Sequence, residues 1–190
     1  MTRLTLASAS KSRARLLENA GVPFTVRPAN IDEDAVKASG ADGRAVAEKL
    51  AELKAIAVAG ELVLGADQML VCDGRLMSKA ATLDEAAQQL RMLRGRRHVL
   101  VSAVVLASNA APVWRHVEES TLWMRDFSDA FLESYLAAEG AAMLGGVGCY
   151  RYEGAGAQLF ARVEGDYFSI LGLPLVPLLA ALREHGVIET

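Results

Sequence analysis

Asp67 and Gln68 close a run, Leu62-Val63-Leu64-Gly65-Ala66, whose apolar or small residues have the composition of a strand covered on both faces. The pattern ends this strand at Ala66 and sets Asp67 at its carboxyl end, where ligands gather in open α/β sheets. A carboxylate there holds a metal or activates water, or else it caps a turn. Other side chains of chemical interest lie far off in sequence. Ser8, Ser10 and Ser12 with Lys11 and Arg13 stand where a helix should begin, among unpaired N–H groups that suit a phosphate. Simple capping by Ser10, with the basic residues in water, accounts for the same pattern. Asp32, Glu33 and Asp34 repel one another unless solvent, salt or a divalent metal lies between them, and carboxylate oxygens are natural ligands for such a metal. Lys54 flanks an apolar helical stripe, from which it reaches either water or a cleft shared with Asp67.

These groups need elements to position them. Leu4 to Ala7 reads as a strand, Lys11 to Ala20 as a helix stopped by Gly21, and Phe24 to Arg27 as a second strand before an acidic loop, Asn30 to Asp34. A helix follows from about Gly43 to Ala59, with Val46, Leu50, Leu53 and Ala57 at helical spacing. Beyond Asp67, Met69–Cys72 and Arg75–Met77 flank Asp73-Gly74, a strong two-residue hairpin signal that delivers Ser78-Lys79-Ala80. Thr82 to Glu85 is a capping box for a helix ending near Gly95. The Arg94, Arg96, Arg97 and His98 cluster beyond it suits a helix carboxyl terminus, and His98 alone carries little functional weight. His98–Leu106 and Val113–Met124 read as long strands, Ser128 as the cap of a helix running to about Glu139, Gln158–Val163 as a strand and Pro174–Arg183 as the last helix. Between them, five glycines from Gly145 to Gly156 let backbone approach a ligand closely, a weak signal without further context.

Composition narrows the class. A chain of 190 residues is long enough for one domain, 1–190, with a core that needs no staples. Its two cysteines, Cys72 and Cys149, form no CxxC pair, which speaks against a zinc or thiol redox motif. Twenty basic and twenty-three acidic residues give a net charge of −3, against bulk binding to nucleic acid or an anionic membrane. The chain has no long apolar span, no GxxxxGK[ST] phosphate loop and no HExxH motif. A cytoplasmic protein is expected.

Taken in order, these stretches resemble the Maf family of nucleoside triphosphate pyrophosphatases over nearly the whole chain. The carrying residues are Leu6-Ala7-Ser8-Ala9-Ser10 with Arg13, Ile31-Asp32-Glu33, Leu50-Ala51 with Lys54-Ala55, and Gly65-Ala66-Asp67-Gln68. Lys79, Gly95 with His98, Tyr150 with Glu153 to Gly156, and Glu164 to Tyr167 with Gly172 to Leu175 complete the set. The resemblance implies a mixed twisted α/β sheet in two lobes around a deep central cleft, similar to inosine triphosphatase, together with a homodimer and metal-dependent hydrolysis of a nucleoside triphosphate to monophosphate and pyrophosphate. It implies Asp67 as general base and Glu33 at a metal-binding position, and by their chemistry the Glu33 and Asp67 carboxylates can share a Mg²⁺ or Mn²⁺. Ser8, Arg13, Lys54 and Lys79 match phosphate-binding positions; Ser12, Gln68 and Glu153 match positions of base selection. Lys11-Ser12 and Ala80 depart from the family pattern, which bears on substrate choice and on the placing of Lys79.

The residue chemistry agrees. A triphosphate needs cations to bind it, a metal to neutralise developing charge and an activated water. Gln68 with Glu153 resembles the 7-methyl-GTP branch: a carboxylate accepts both N1–H and the 2-amino group of guanine, and more strongly from a methylated, cationic ring. Ser12 offers no ring to stack on such a base; Trp123, Tyr150 or Tyr152 would have to supply one. A dTTP/UTP-type pyrophosphatase and a non-catalytic nucleotide-binding regulator of cell division are the competing readings.

Overall fold

A computed structural model describes residues 1–189. The elements follow chain order as β1 (Leu4–Leu6), α1 (Lys11–Asn19), β2 (Phe24–Val26), α2 (Glu33–Lys37), α3 (Gly43–Ala57), β3 (Leu62–Cys72), β4 (Arg75–Met77) and α4 (Leu83–Leu93). Then come β5 (Arg97–Ser108), β6 (Ala111–Met124), α5 (Asp129–Glu139), three short 3₁₀ turns between Gly140 and Leu159, β7 (Phe160–Glu164), α6 (Tyr167–Ile170) and α7 (Leu175–Glu184). The result is a mixed α/β fold. Six strands lie in the order β2-β1-β3-β5-β6-β7, and β4 pairs with β3. β1 runs parallel to both β2 and β3, with Leu6 opposite Leu64, while β3–β4 and β6–β7 are antiparallel.

The chain divides into two compact units, and β3, β5 and β6 each give residues to both. The first holds Met1–Gln68, Val101–Glu118 and residues 166–189. Its larger core packs Leu4, Leu6, Leu62, Leu64, Val104 and Leu106 from the strands with Leu16 and Leu17 of α1 and Leu178 and Leu182 of α7. Side chains alternate along a strand, so Val63, Gly65 and Asp67 turn to the other face of β3, where α3 packs. There a Cβ on Gly65 would collide with the carbonyl of Ala51 and sit 2.5 Å from the amide nitrogen of Ala55. Glycine therefore lets the helix backbone close onto the strand. The buried stripe of α3 is Val46, Ala47, Leu50, Ala51, Lys54 and Ala55, with Leu53 half-buried and Ala57 exposed. The stripe is thus rotated from the Val46-Leu50-Leu53-Ala57 reading, because small alanines must meet Gly65, and Lys54 lies within it.

The second unit, Met69–Leu100 with Glu119–Gly165, buries Leu70, Leu90, Leu93, Leu100, Leu122, Leu132, Met143 and Leu159. Asp73 and Gly74 form the hairpin turn with φ of 49° and 75°, both in the left-handed region that a two-residue hairpin needs. Thr82 caps α4, but Glu85 closes the box on the amide of Ala81, one residue before the cap. Two of the five glycines are required by the chain itself: Gly148 has φ of 81° with the Tyr150 ring against it, and a Cβ on Gly156 would lie 2.5 Å from the Arg151 carbonyl oxygen. Gln158 and Leu159 belong to a 3₁₀ turn, so the strand begins later than the alternation indicates.

Candidate active site

β3 does not end at Ala66. It continues through Asp67 and Gln68 to Cys72 as one strand of 11 residues. What ends here is its neighbour: β1 stops at Leu6, opposite Leu64, and Ala7 makes the last ladder-like bond to the Leu64 carbonyl oxygen at 2.8 Å. The chain then turns through Ser8 into α1, so the amino end of this helix arises at the edge where β3 loses β1. Ser10 caps α1, accepting the Arg13 amide at 3.4 Å. Ser8 Oγ accepts from the Ser10 amide and from Arg13 Nη1, each at 3.2 Å, and Arg13 Nε donates to the Gly172 carbonyl at 2.9 Å. Arg13 is buried. Burial pulls its guanidinium below the ordinary range, and the charges of Asp67 and Glu33 pull it back.

The acidic segment read as a loop is a helix from Glu33. Asp32 caps it, accepting the Ala35 amide at 3.0 Å, and Lys37 bonds Glu33 one turn back. This places Glu33 against α3. Lys54 Nζ lies 2.5 Å from Asp67 Oδ1 and 2.8 Å from Glu33 Oε1; Lys37 Nζ lies 3.0 Å from Glu33 Oε2. Burial pushes the Glu33 carboxyl up, and hydrogen bonds from Lys54 and Lys37 outweigh it, holding the group at about 2. Lys54 and Asp67 are 8% and 5% exposed, so neither charge is left to bulk water. Yet Asp67 Oδ2 is buried with no hydrogen-bond partner.

That orphan oxygen tests the fit of a divalent metal. A buried anionic oxygen without a donor is costly, and a cation would satisfy it. No group of three or more His, Cys, Asp or Glu residues is placed to bind a metal among the described residues. Asp67 and Glu33 are thus two carboxylates, a set that fits Mg²⁺ or Mn²⁺ when phosphate oxygens and water fill the remaining positions.

Gln68 points to the opposite face of β3 from Asp67 and bonds Ser102 of β5 and the carbonyls of Ser169 and Ile170 in α6. The first unit therefore gathers Ser8, Arg13, Glu33, Lys54 and Asp67 through bonds and charges, and brings Gln68 and Arg13 each within 4 Å of one point over Gly172. Ser12 stands exposed on the first turn of α1. Lys79 and Glu153 belong to the second unit, both exposed, with Glu153 3.5 Å from Arg151, which also pairs with Glu139 at 3.1 Å. Lys37 and Ser102, which the residue pattern does not single out, join the candidate set through Glu33 and Gln68; Ser102 is a lone hydroxyl within the apolar run Val99 to Leu106.

Serine, arginine and lysine around two carboxylates at the start of a helix make a set suited to a polyanion carried with a divalent cation. The chain belongs to the Maf family: residues 3–185 match the model described as Maf-like protein. It is 51% identical to a nucleoside triphosphate pyrophosphatase of Granulibacter bethesdensis, over 96% of this chain and 97% of that one. It is 50% identical to a nucleoside triphosphate pyrophosphatase of Caulobacter vibrioides (99% and 98%) and 49% identical to a 7-methyl-GTP pyrophosphatase of Rhizobium meliloti (98% and 98%). No helix among the described residues is long and apolar enough to cross a membrane.

Proposed function

We propose that this enzyme, a nucleoside triphosphate pyrophosphatase of the Maf family, hydrolyses the α–β anhydride of a 7-methyl-GTP-like substrate with the residues around Asp67. The observation that carries the reading is the divided Asp67 carboxylate: Lys54 holds one oxygen, and the other is buried without a partner. Ser8, Arg13 and Lys54 bind phosphate oxygens, and Lys79 does so on the strength of the resemblance. Asp67 accepts a proton from water as the water oxygen bonds the α-phosphorus, the bond to the bridging oxygen breaks, and pyrophosphate leaves carrying that oxygen. Mg²⁺ or Mn²⁺, held by Asp67 and Glu33, would supply charge neutralisation on the phosphates.

The name of the Rhizobium meliloti relative supports the choice of base, and Glu153 is the residue assigned to accept guanine-type donors, with Gln68 and Ser12 as further base-selecting positions. Pyrophosphate release from natural and methylated triphosphates under Mg²⁺ or Mn²⁺ tests the reading. Multiple turnovers are expected, with 7-methyl-GTP preferred to dTTP and UTP and the preference narrowed or reversed by Glu153→Gln. Equal kcat/KM for the three, or a ranking untouched by Glu153→Gln, overturns the choice of base. Binding without turnover overturns the catalytic role.

A further inference from the structure

The Gln68 amide is held on one side only. Its Nε2 carries two hydrogens and faces three acceptors: Ser102 Oγ at 2.9 Å, the Ser169 carbonyl at 3.0 Å and the Ile170 carbonyl at 3.2 Å. Turning the amide over would set Oε1 against two carbonyl oxygens, so the hydrogen-bond network fixes its orientation. Ser102, 1% exposed, gives its single hydrogen to the Ser169 carbonyl at 2.8 Å and so shows Gln68 only lone pairs. Ser169 is held in turn, its amide and hydroxyl donating to Asp166 Oδ2 at 2.7 and 2.9 Å. The free Oε1 borders a small space over Gly172. A Cβ there would lie 3.8 Å from Oε1, and 3.7 and 3.9 Å from Nε and Nη2 of Arg13. An acceptor and a guanidinium thus flank one spot that a side chain would fill.

We propose that Ser102 is a positioning residue which, through Gln68, makes the enzyme demand a hydrogen-bond donor on the nucleoside part of its substrate. The inference rests on the reading that Arg13 holds a phosphate of a nucleoside triphosphate. The acceptor beside Arg13 then meets the attached nucleoside, whose donors are sugar hydroxyls and base N–H or amino groups. A fixed, partly buried acceptor rejects a substrate lacking the donor, because it is then left unpaired. A loosened one swings to water and discriminates less.

Wild type, Ser102→Ala, Gln68→Ala and the double variant are compared by kcat and KM on 7-methyl-GTP and on analogues each lacking one donor: the 2′-deoxy and 3′-deoxy sugars, 7-methyl-ITP without the 2-amino group, and 1,7-dimethyl-GTP without N1–H. The wild type should disfavour at least one analogue by roughly tenfold or more, and the analogue whose penalty Gln68→Ala removes identifies the sugar or the base as the source. Ser102→Ala should lose much of that ratio, and the double variant should lose no more than Gln68→Ala does. If Ser102→Ala does not fold, Ser102→Cys, similar in volume with a weaker donor, takes its place. Equal losses on every substrate or a ratio unchanged by Ser102→Ala overturns the proposal alone, and a wild type that disfavours no analogue overturns both the proposal and the assignment of Glu153 to guanine-type donors. A wild type that hydrolyses no triphosphate overturns the functional reading beneath it.

Discussion

Lys54 and Asp67 meet at 2.5 Å because Gly65 lies two residues before Asp67 on the same face of β3 and has no side chain. α3 approaches the strand closely there, and Lys54 lies between the two alanines, Ala51 and Ala55, that make the approach. The ion pair is a consequence of helix–strand packing.

Gly65→Ala should therefore damage both fold and site. Its methyl group has nowhere to go against backbone atoms, and overpacking of this kind costs about 1–3 kcal/mol, occasionally more. Thermal melting and pyrophosphate release, measured together, should both fall. A protein with wild-type melting and activity would show that α3 moves freely over β3.

Asp67→Asn keeps the volume and leaves an oxygen for Lys54, so the fold should survive. Turnover should fall about 10²–10⁴-fold, the usual result of removing a general base. Circular dichroism and steady-state pyrophosphate release check the two halves, and full activity in folded Asp67→Asn protein would remove Asp67 from the mechanism.

The Glu33 carboxyl sets an acid limit. In the unfolded chain it takes a proton near 4.5, whereas in the fold Lys54 and Lys37 overcome the opposing effect of burial and hold it to about 2. Its contribution to stability is thus complete above 4.5 and is lost as pH falls from there toward about 2, where the unfolded state binds more protons. Melting temperature followed through that window should decline, and Glu33→Gln should flatten the decline.

His98 acts at higher pH. It is 1% exposed, with Nε2 2.9 Å from the Tyr150 hydroxyl and Nδ1 unpaired, so a second proton would have no acceptor. Burial lowers it from 6.5 to about 4. Stability from neutral His98 is fully present above 6.5 and is lost as pH falls through about 4. His98→Gln should lessen the slope of melting temperature against pH between those values; an unchanged slope would locate the titration elsewhere.

Elements whose causes are local can be read from the order of residues. Ser10, Thr82 and Ser128 accept amides at the first turns of α1, α4 and α5, and Gly21 and Gly186 take the positive φ that ends a helix. The hairpin at Asp73-Gly74, the family and the kind of substrate were legible for the same reason: each rests on residue types in fixed order. Other features depend on contacts between distant parts of the chain. Polar side chains at Asp67 and Gln68 look like the end of a strand, and only the register with the shorter β1 shows that β3 runs on and turns them to opposite faces. Asp32 to Asp34 looked like a loop until Lys37 and Lys54 neutralised Glu33 and the chain could coil there. Ser102 lies 34 residues beyond Gln68, and whether its hydroxyl meets that amide depends on how β5 and α6 pack, which no local pattern encodes.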